Sequence, residues 1–246
     1  MLSSLAVGLA SQNTQAIENW NAQKIVLNKN ANISMSQSIL TKDDLKNAKI
    51  GKNEAIIGQL GIVAKKKGKS SISAQFLGIK KDQFIYQDQD IIAGKKAKNG
   101  NQITVDSSFK DKGYKLGDQI SLNGSKKKYK IVGFVNNAKI NIAPIVYGSM
   151  KTWKKLRMVA PNVAASAVVS KNSNYKFNYK DAKTYPIQAF INKLPGYTAQ
   201  NLTFELMIGF LFVISLIVIA VFLYILTMQK MHTFAVMRPQ GFPRKL

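Results

Sequence analysis

Apolar positions follow two different patterns along the chain. Up to about residue 199 they come in short segments separated by polar stretches rich in lysine and glycine. Over residues 206–229 they run on without one charged side chain. At about 1.5 Å of rise per residue, such a run crosses a ~30 Å hydrocarbon core with some tilt. Glu205 and Lys230 bracket it, and Tyr224 lies near the Lys230 end, where an amphipathic ring suits the membrane interface. The alternative, a buried helix of a soluble protein, is disfavoured because soluble cores rarely contain uncharged runs of this length. Gly209 and Ser215 are small enough to admit a neighbouring helix, but their spacing is not that of a GxxxG motif. Residues 1–10 are also apolar, yet too short to span and without the basic start of a signal peptide. They read as the last turns of a membrane helix whose beginning is missing, or else as a frayed apolar terminus.

Between these ends the pattern predicts a mixed α/β domain. Thr41 and Asp44 have the spacing of a capping box ahead of Leu45, which places a helix start there. Residues 55–64 read as a strand, residues 65–69 as a lysine turn, and residues 71–77 alternate as a second strand. Residues 103–105 form a short strand. Residues 119–122 and 129–135 form two more around Asn123-Gly124, a pair that tolerates positive φ and favours a hairpin. Residues 145–147 read as a strand, with Ser149 capping a helix that ends near Leu156. Residues 164–169 complete the strands. Ile187, Phe190, Ile191 and Leu194 form a helical stripe stopped by Pro195-Gly196, and a new helix starts near Thr198 or Asn201 and runs into the apolar span.

Charge then fixes an expected orientation. The chain carries +24, with 33 Lys against 3 Arg. Residues 1–205 hold 32 basic and 12 acidic side chains, and Lys230, Arg238, Arg244 and Lys245 follow the span with no acid. Short flanking segments, not long domains, obey the positive-inside rule. The tail is therefore expected in the cytoplasm and the large domain outside. A basic chain first points to nucleic acid or an anionic surface. The scarcity of Arg, which reads bases and phosphates in a bidentate manner, argues against specific nucleic-acid recognition. A domain of +20 facing outward is drawn instead to anionic lipid or cell-wall polymer.

The chain has no Cys and one His, which excludes disulfide scaffolds, thiolate catalysis and clustered His metal sites. No Walker A loop, GxSxG elbow or HExxH motif is present. The segment from Gly94 to Gly100 lacks the GK[ST] ending of a phosphate loop and reads as a solvated turn. Asp88 and Asp90 are spaced to share a strand face, but read more simply as loop acids. His232 falls just past the span, where an interfacial histidine is expected rather than a ligand. The lysine runs at residues 65–69 and 126–130 read as solvated turns. Glu205 and Met207 stand at the outer boundary of the span, as ordinary helix-end residues or as contacts for a membrane-borne ligand. No catalytic, cofactor-binding or metal site is expected, and no enzyme.

Three segments carry a resemblance. The first is Ala93-Gly-Lys-Lys-Ala-Lys-Asn-Gly-Asn-Gln-Ile-Thr-Val-Asp106, followed by Gly113-Tyr-Lys-Leu-Gly-Asp-Gln-Ile-Ser-Leu122. The second is Tyr129-Lys-Ile-Val-Gly-Phe134 with Pro144-Ile-Val-Tyr147, and the third is the apolar run ending Gln229-Lys-Met-His-Thr-Phe-Ala-Val-Met-Arg-Pro-Gln-Gly-Phe242. Together they resemble permeases of the MacB/FtsX type, which belong to ABC transporters. With Leu194-Pro-Gly-Tyr197 ahead of the span, they look most like the hemin-export permeases of low-GC Gram-positive bacteria. The resemblance implies an α+β extracytoplasmic domain of the MacB periplasmic core type followed by a transmembrane helix. It divides the chain into the end of a first helix (1–12), the extracytoplasmic domain (13–199), a stalk and span (200–230) and a cytoplasmic segment (231–246). It also implies a permease homodimer in the cell membrane, coupled to a separate cytoplasmic ABC ATPase and extruding a hydrophobic or amphipathic substrate such as hemin. Met237, Arg238, Gln240 and Gly241 match the segment that faces the ATPase. Pro239 stands where the family usually has Ala, and the chain stops before the third and fourth helices of the family. On this resemblance an incomplete permease is expected. A single-pass anchored binding or sensor protein, and an FtsX-like regulator of cell-wall hydrolases, are the alternative readings.

Overall fold

A computed structural model describes residue 8 and residues 11–237, with side chains up to Lys230. The expected end of a first helix at residues 1–12 falls mostly outside the described residues. So do the tail from residue 238 and the side chains of His232 and Met237.

The described residues through Thr198 form one compact unit, and those from Ala199 onward a second. The compact unit is built on strands β1 (Lys24–Asn28), β2 (Leu40–Thr41), β3 (Glu54–Lys65), β4 (Ile72–Ile79), β5 (Ile91–Gly94), β6 (Gln102–Asp106), β7 (Gln119–Leu122), β8 (Lys128–Val135), β9 (Lys139–Ile140), β10 (Ala143–Ser149), β11 (Val163–Ala165), β12 (Ala167–Ser170) and β13 (Ala182–Pro186). Short helices α1 (Gln15–Asn19), α2 (Phe84–Gln87), α3 (Ser108–Asp111), α4 (Met150–Arg157) and α5 (Ile187–Asn192) connect them. The strand order is β13-β1-β12-β3-β4-β10-β6-β8-β5, with β7 joined to β3 and β8, and β9 to β10; β11 and β2 pair separately. Most neighbours are antiparallel, but β10 runs parallel to β4 and β6 parallel to β8.

Alternation along β4 separates the packing. Leu77 of β4 enters one cluster with Ile17, Ile25, Ile57, Val169 and Phe190, and its neighbour Phe76 enters another with Val105, Phe109, Tyr129, Ile131 and Trp153. Successive strand side chains point to opposite faces, so β4 serves two cores at once. Gly58 and Gly78 lie opposite each other across β3 and β4. Together they leave a flat floor on which the Trp153 indole rests: a Cβ on Gly58 would stand 2.1 Å from the ring, and one on Gly78 2.5 Å from the Trp153 Cβ. The indole Nε1 donates to Gln59 O at 3.0 Å, and Trp153 is fully buried. α4 is thereby fastened across the middle of the sheet.

The predicted strands at residues 55–64, 71–77, 103–105, 119–122, 129–135 and 145–147 are all present, each a little longer than or equal to its expected span. Asn123 and Gly124 both take positive φ, as the hairpin signal required. Ser149 Oγ accepts the Thr152 N–H at 3.1 Å, capping α4 as expected. The capping box at Thr41 also forms: Asp44 Oδ2 accepts the Thr41 N–H (2.9 Å) and hydroxyl (2.7 Å), and Thr41 Oγ1 accepts the Asp44 N–H (3.1 Å). No α-helix follows it, however. Residues 42–47 stay in turns, because Thr41 is itself held in the β2–β11 pair and the Asp44 carboxylate turns to the Asp181 N–H. The expected strand at residues 164–169 is split at Ser166. There the side chain takes over part of the ladder, its Oγ accepting the Gln59 N–H at 3.0 Å.

The described residues of the second unit, from Ala199 onward, belong to the helix α6 (Tyr197–Met237), which starts slightly earlier than expected. Residues Tyr197–Lys230 are long and apolar enough to cross a membrane. Three of its hydroxyls fold back on the helix: Thr203 donates to Ala199 O, Ser215 to Leu211 O and Thr227 to Leu223 O at 2.8–2.9 Å. Such back-bonding satisfies a polar side chain without an external partner, as a hydrocarbon surrounding demands.

Candidate functional site

The register of the central strands gathers one set of loops at one end of the sheet. Parallel pairing of β4 and β10 places Ile79 beside Ser149, so both strands finish together. β4 continues into Lys80 and Lys81, and β10 continues into α4. β6 runs antiparallel to β10, with Thr104 opposite Tyr147, so the loop ahead of β6 arrives at the same end. β8 is parallel to β6, which brings Lys127, just before β8, there as well. Between these segments lies a cleft of about 680 Å³.

The cleft has an apolar floor and a cationic rim. Ile79 and Tyr147 are buried in the floor, joined by Met150 and Tyr86. Burial drives the Tyr147 hydroxyl far above the usual tyrosine range, so it stays neutral. The rim carries Lys80, Lys81, Lys98, Lys127, Lys151 and Lys155, all exposed, and no Asp or Glu lines the cleft. The four ion pairs among the described residues use other lysines: Lys29 with Asp181, Lys66 with Asp118, Lys171 with Asp88 and Lys180 with Asp43.

The walls are held by specific bonds. Thr152 Oγ1 donates to Gly100 O at 2.9 Å, tying the loop of Lys98 to the first turn of α4. The Lys98 N–H donates to Gln102 Oε1 at 2.9 Å. Gln89 Oε1 accepts the Thr104 hydroxyl at 3.3 Å, and Lys96 lies 5.8 Å above the Tyr86 ring while its Nζ donates to Gln87 O. Arg157, at the far end of α4, donates from Nη1 to Ser166 Oγ (2.8 Å) and Gln59 O (3.1 Å), and from Nη2 to Ser36 O (2.9 Å). The helix whose N-terminus faces the cleft is thus anchored at its other end.

Sequence reasoning named parts of this cleft without joining them. The glycine- and lysine-containing turn up to Gly100 is exposed, as expected, and supplies one wall. Of the two lysine runs, Lys127 reaches the rim, whereas Lys66 is bound to Asp118 at 2.6 Å. Asp88 pairs with Lys171 rather than with Asp90. Glu205 and Met207 are exposed on α6. Arg238, Gln240 and Gly241, with the Met237 side chain, lie outside the described residues. No group of three or more His, Cys, Asp or Glu that could hold a metal occurs among the described residues. Lys80, Lys81, Lys151 and Lys155 carried no local signal, since lysine is everywhere in this sequence and only strand register brings these four together.

No family model matches the chain. Two solved structures resemble it with low scores: the extracellular domain of the ABC-type transporter YknZ from Gram-positive bacteria (13% identity, 62% of this chain and 84% of that one, TM-score 0.45) and the periplasmic region of MacB from Actinobacillus actinomycetemcomitans (14% identity, 70% and 93%, TM-score 0.49). Curated relatives match far more of the chain. The protein named hemin transport system permease HrtB of Staphylococcus epidermidis is 26% identical over 248 residues, covering 99% of this chain and 68% of its own length. Its namesake in Staphylococcus haemolyticus is 24% identical over 258 residues, with the same coverages. The resemblance read from the three sequence segments is therefore matched by these relatives: across both its α/β domain and its apolar helix, the chain is similar to hemin transport permeases.

Proposed function

We propose that this chain acts as permease, or part of a permease, in an ABC-type exporter that extrudes a hydrophobic or amphipathic substrate, with hemin the leading candidate. The observation that carries this reading is the similarity to hemin transport permeases over 99% of the chain, through the domain and the apolar helix alike. In this reading residues 13–199 lie outside the cell, residues 200–230 form the stalk and span, and residues 231–246 lie in the cytoplasm. The chain itself performs no chemistry. A separate ATPase supplies the energy and meets the cytoplasmic segment at Met237, Arg238, Gln240 and Gly241, and two permeases work as a dimer.

Hemin tolerance tests the reading directly. Disrupting the gene for this chain should lower the hemin concentration that cells survive, and restoring the gene should recover it. Unchanged tolerance to hemin and to a panel of hydrophobic antibiotics would refute an export role.

A further inference from the structure

We propose that the cleft at the shared end of β4 and β10 is a binding site for a multivalent anion whose phosphate or carboxylate groups are taken up by the rim lysines. This goes beyond the export reading, because it places a ligand site on the α/β domain and requires no transport. The first support is uncompensated charge. Six ammonium groups surround about 680 Å³ of space with no carboxylate among the lining residues and no ion pair to any of the six. Most lysines elsewhere on the domain are also outside the four ion pairs, so what sets these six apart is their convergence on one concave space whose lining holds no carboxylate. Like charges held around a concave surface with apolar walls focus a positive potential into it.

The second support is the direction of α4. Its first residues, Met150 and Lys151, line the cleft, and Ser149 Oγ caps only the Thr152 N–H. The earliest N–H groups of a helix have no intrahelical acceptor, and the macrodipole adds partial positive charge there. The third is size. A lone phosphate would leave most of such a volume empty, whereas 300–1,000 Å³ suits an organic anion or a short polyphosphate. Ile79, Tyr86, Tyr147 and Met150 give the ligand's body an apolar surface, while the lysines take its charged ends.

The competing explanation is a solvated lysine surface on a chain of +24, attracting any anion diffusely. A charge-matched comparison separates the two. The full chain in detergent micelles is titrated with tripolyphosphate and, separately, with benzenehexacarboxylate at about 150 mM salt, by calorimetry. Lys98→Gln, Lys127→Gln and Lys151→Gln are combined in one variant. Lys46→Gln, Lys52→Gln and Lys176→Gln, which remove the same charge from exposed positions outside the cleft, are combined in another. The cleft variant should bind at least about tenfold more weakly, and the control should stay within about threefold of the parent. A third variant with Arg at the three cleft positions should retain binding, which excludes misfolding as the cause of the loss. Equal loss in the cleft and control variants, or no saturable binding of either anion by the parent, would overturn the proposal. Neither result would bear on hemin tolerance, so this test and that of the export reading fail independently.

Discussion

The Trp153 indole rests directly on the paired glycines Gly58 and Gly78, and Gly58→Ala probes that contact. An added Cβ would stand 2.1 Å from Trp153 Cδ2 and 2.6 Å from both Cε2 and Cε3. Carbon atoms in ordinary contact are about 3.5–4.0 Å apart, so the indole must retreat by more than 1 Å. Overpacking of this kind costs about 1–3 kcal/mol. The retreat also breaks the bond from Nε1 to Gln59 O, and a buried donor left unpaired costs about 1–3 kcal/mol more. Against this, replacing Gly with Ala in a strand recovers about 0.5–1 kcal/mol of backbone entropy. The net expectation is a loss of roughly 1–5 kcal/mol. At about 2–4 °C per kcal/mol for a domain of this size, Tm should fall by roughly 10 °C. Thermal unfolding followed by tryptophan fluorescence reads this directly: both Trp residues lie in the domain, and Trp20→Phe leaves Trp153 as the only reporter. A second background makes the reasoning refutable. Trp153→Ala removes the ring at a cost of about 3–5 kcal/mol, and Gly58→Ala introduced into it should then be neutral or slightly stabilising. A Gly58→Ala protein as stable as the parent, or one that loses as much with the ring absent as with it present, would refute the account.

Two further outcomes are expected. Single cysteines at Ser125 and Gly241 in this cysteine-free chain should differ in intact cells, with an impermeant thiol reagent labelling Ser125→Cys but not Gly241→Cys; the reverse pattern would invert the proposed topology. The domain should also lose stability in acid. Burial pushes the Asp44 carboxyl upward, but its bonds from the Thr41 hydroxyl and N–H and the Asp181 N–H outweigh this and hold it below the usual range. Asp118 behaves alike: burial raises it, while Lys66 and the Lys115 N–H lower it further. A folded value below the unfolded ~3.9 means that the stabilisation is complete above that pH and lost as pH falls through the folded value. Tm should thus drop below about pH 4, and less steeply in Asp44→Asn; equal slopes in the two proteins would count against the assignment.

What the sequence disclosed and what it hid follow from how far each interaction reaches along the chain. The apolar run of α6, the β3–β4 hairpin and the Ser149 cap depend on neighbours a few residues away, so their signals are local and legible. The Thr41 box shows where that reasoning stops. Its bonds formed as their spacing requires, but Thr41 is held by a strand more than a hundred residues away, and the turn never becomes a helix. β1 and β13 went unread because each is five residues long, carries its own lysine, and pairs only with strands far along the chain, β1 with β12 and β13, and β13 with β1. The lysine cleft is the extreme case. None of its six lysines differs in local pattern from the other twenty-seven, and what distinguishes them is the parallel register that sets Ile79 beside Ser149. Glu54 shows the same dependence from the acidic side. It is buried, yet its carboxylate accepts the Ser170 hydroxyl at 2.8 Å and the Gly51 N–H at 3.0 Å, at the end of the domain's longest strand. An acid in this basic chain is thus spent where strand pairing leaves donors to satisfy, as Asp106 is on the Ala138 and Ser108 N–H groups at 3.0 Å. Other acids, such as Asp82 and Asp90, stay exposed in loops close in sequence to Lys80 and Lys81 yet do not line the cleft, so charge counted along the sequence could indicate a basic domain but not where that charge converges.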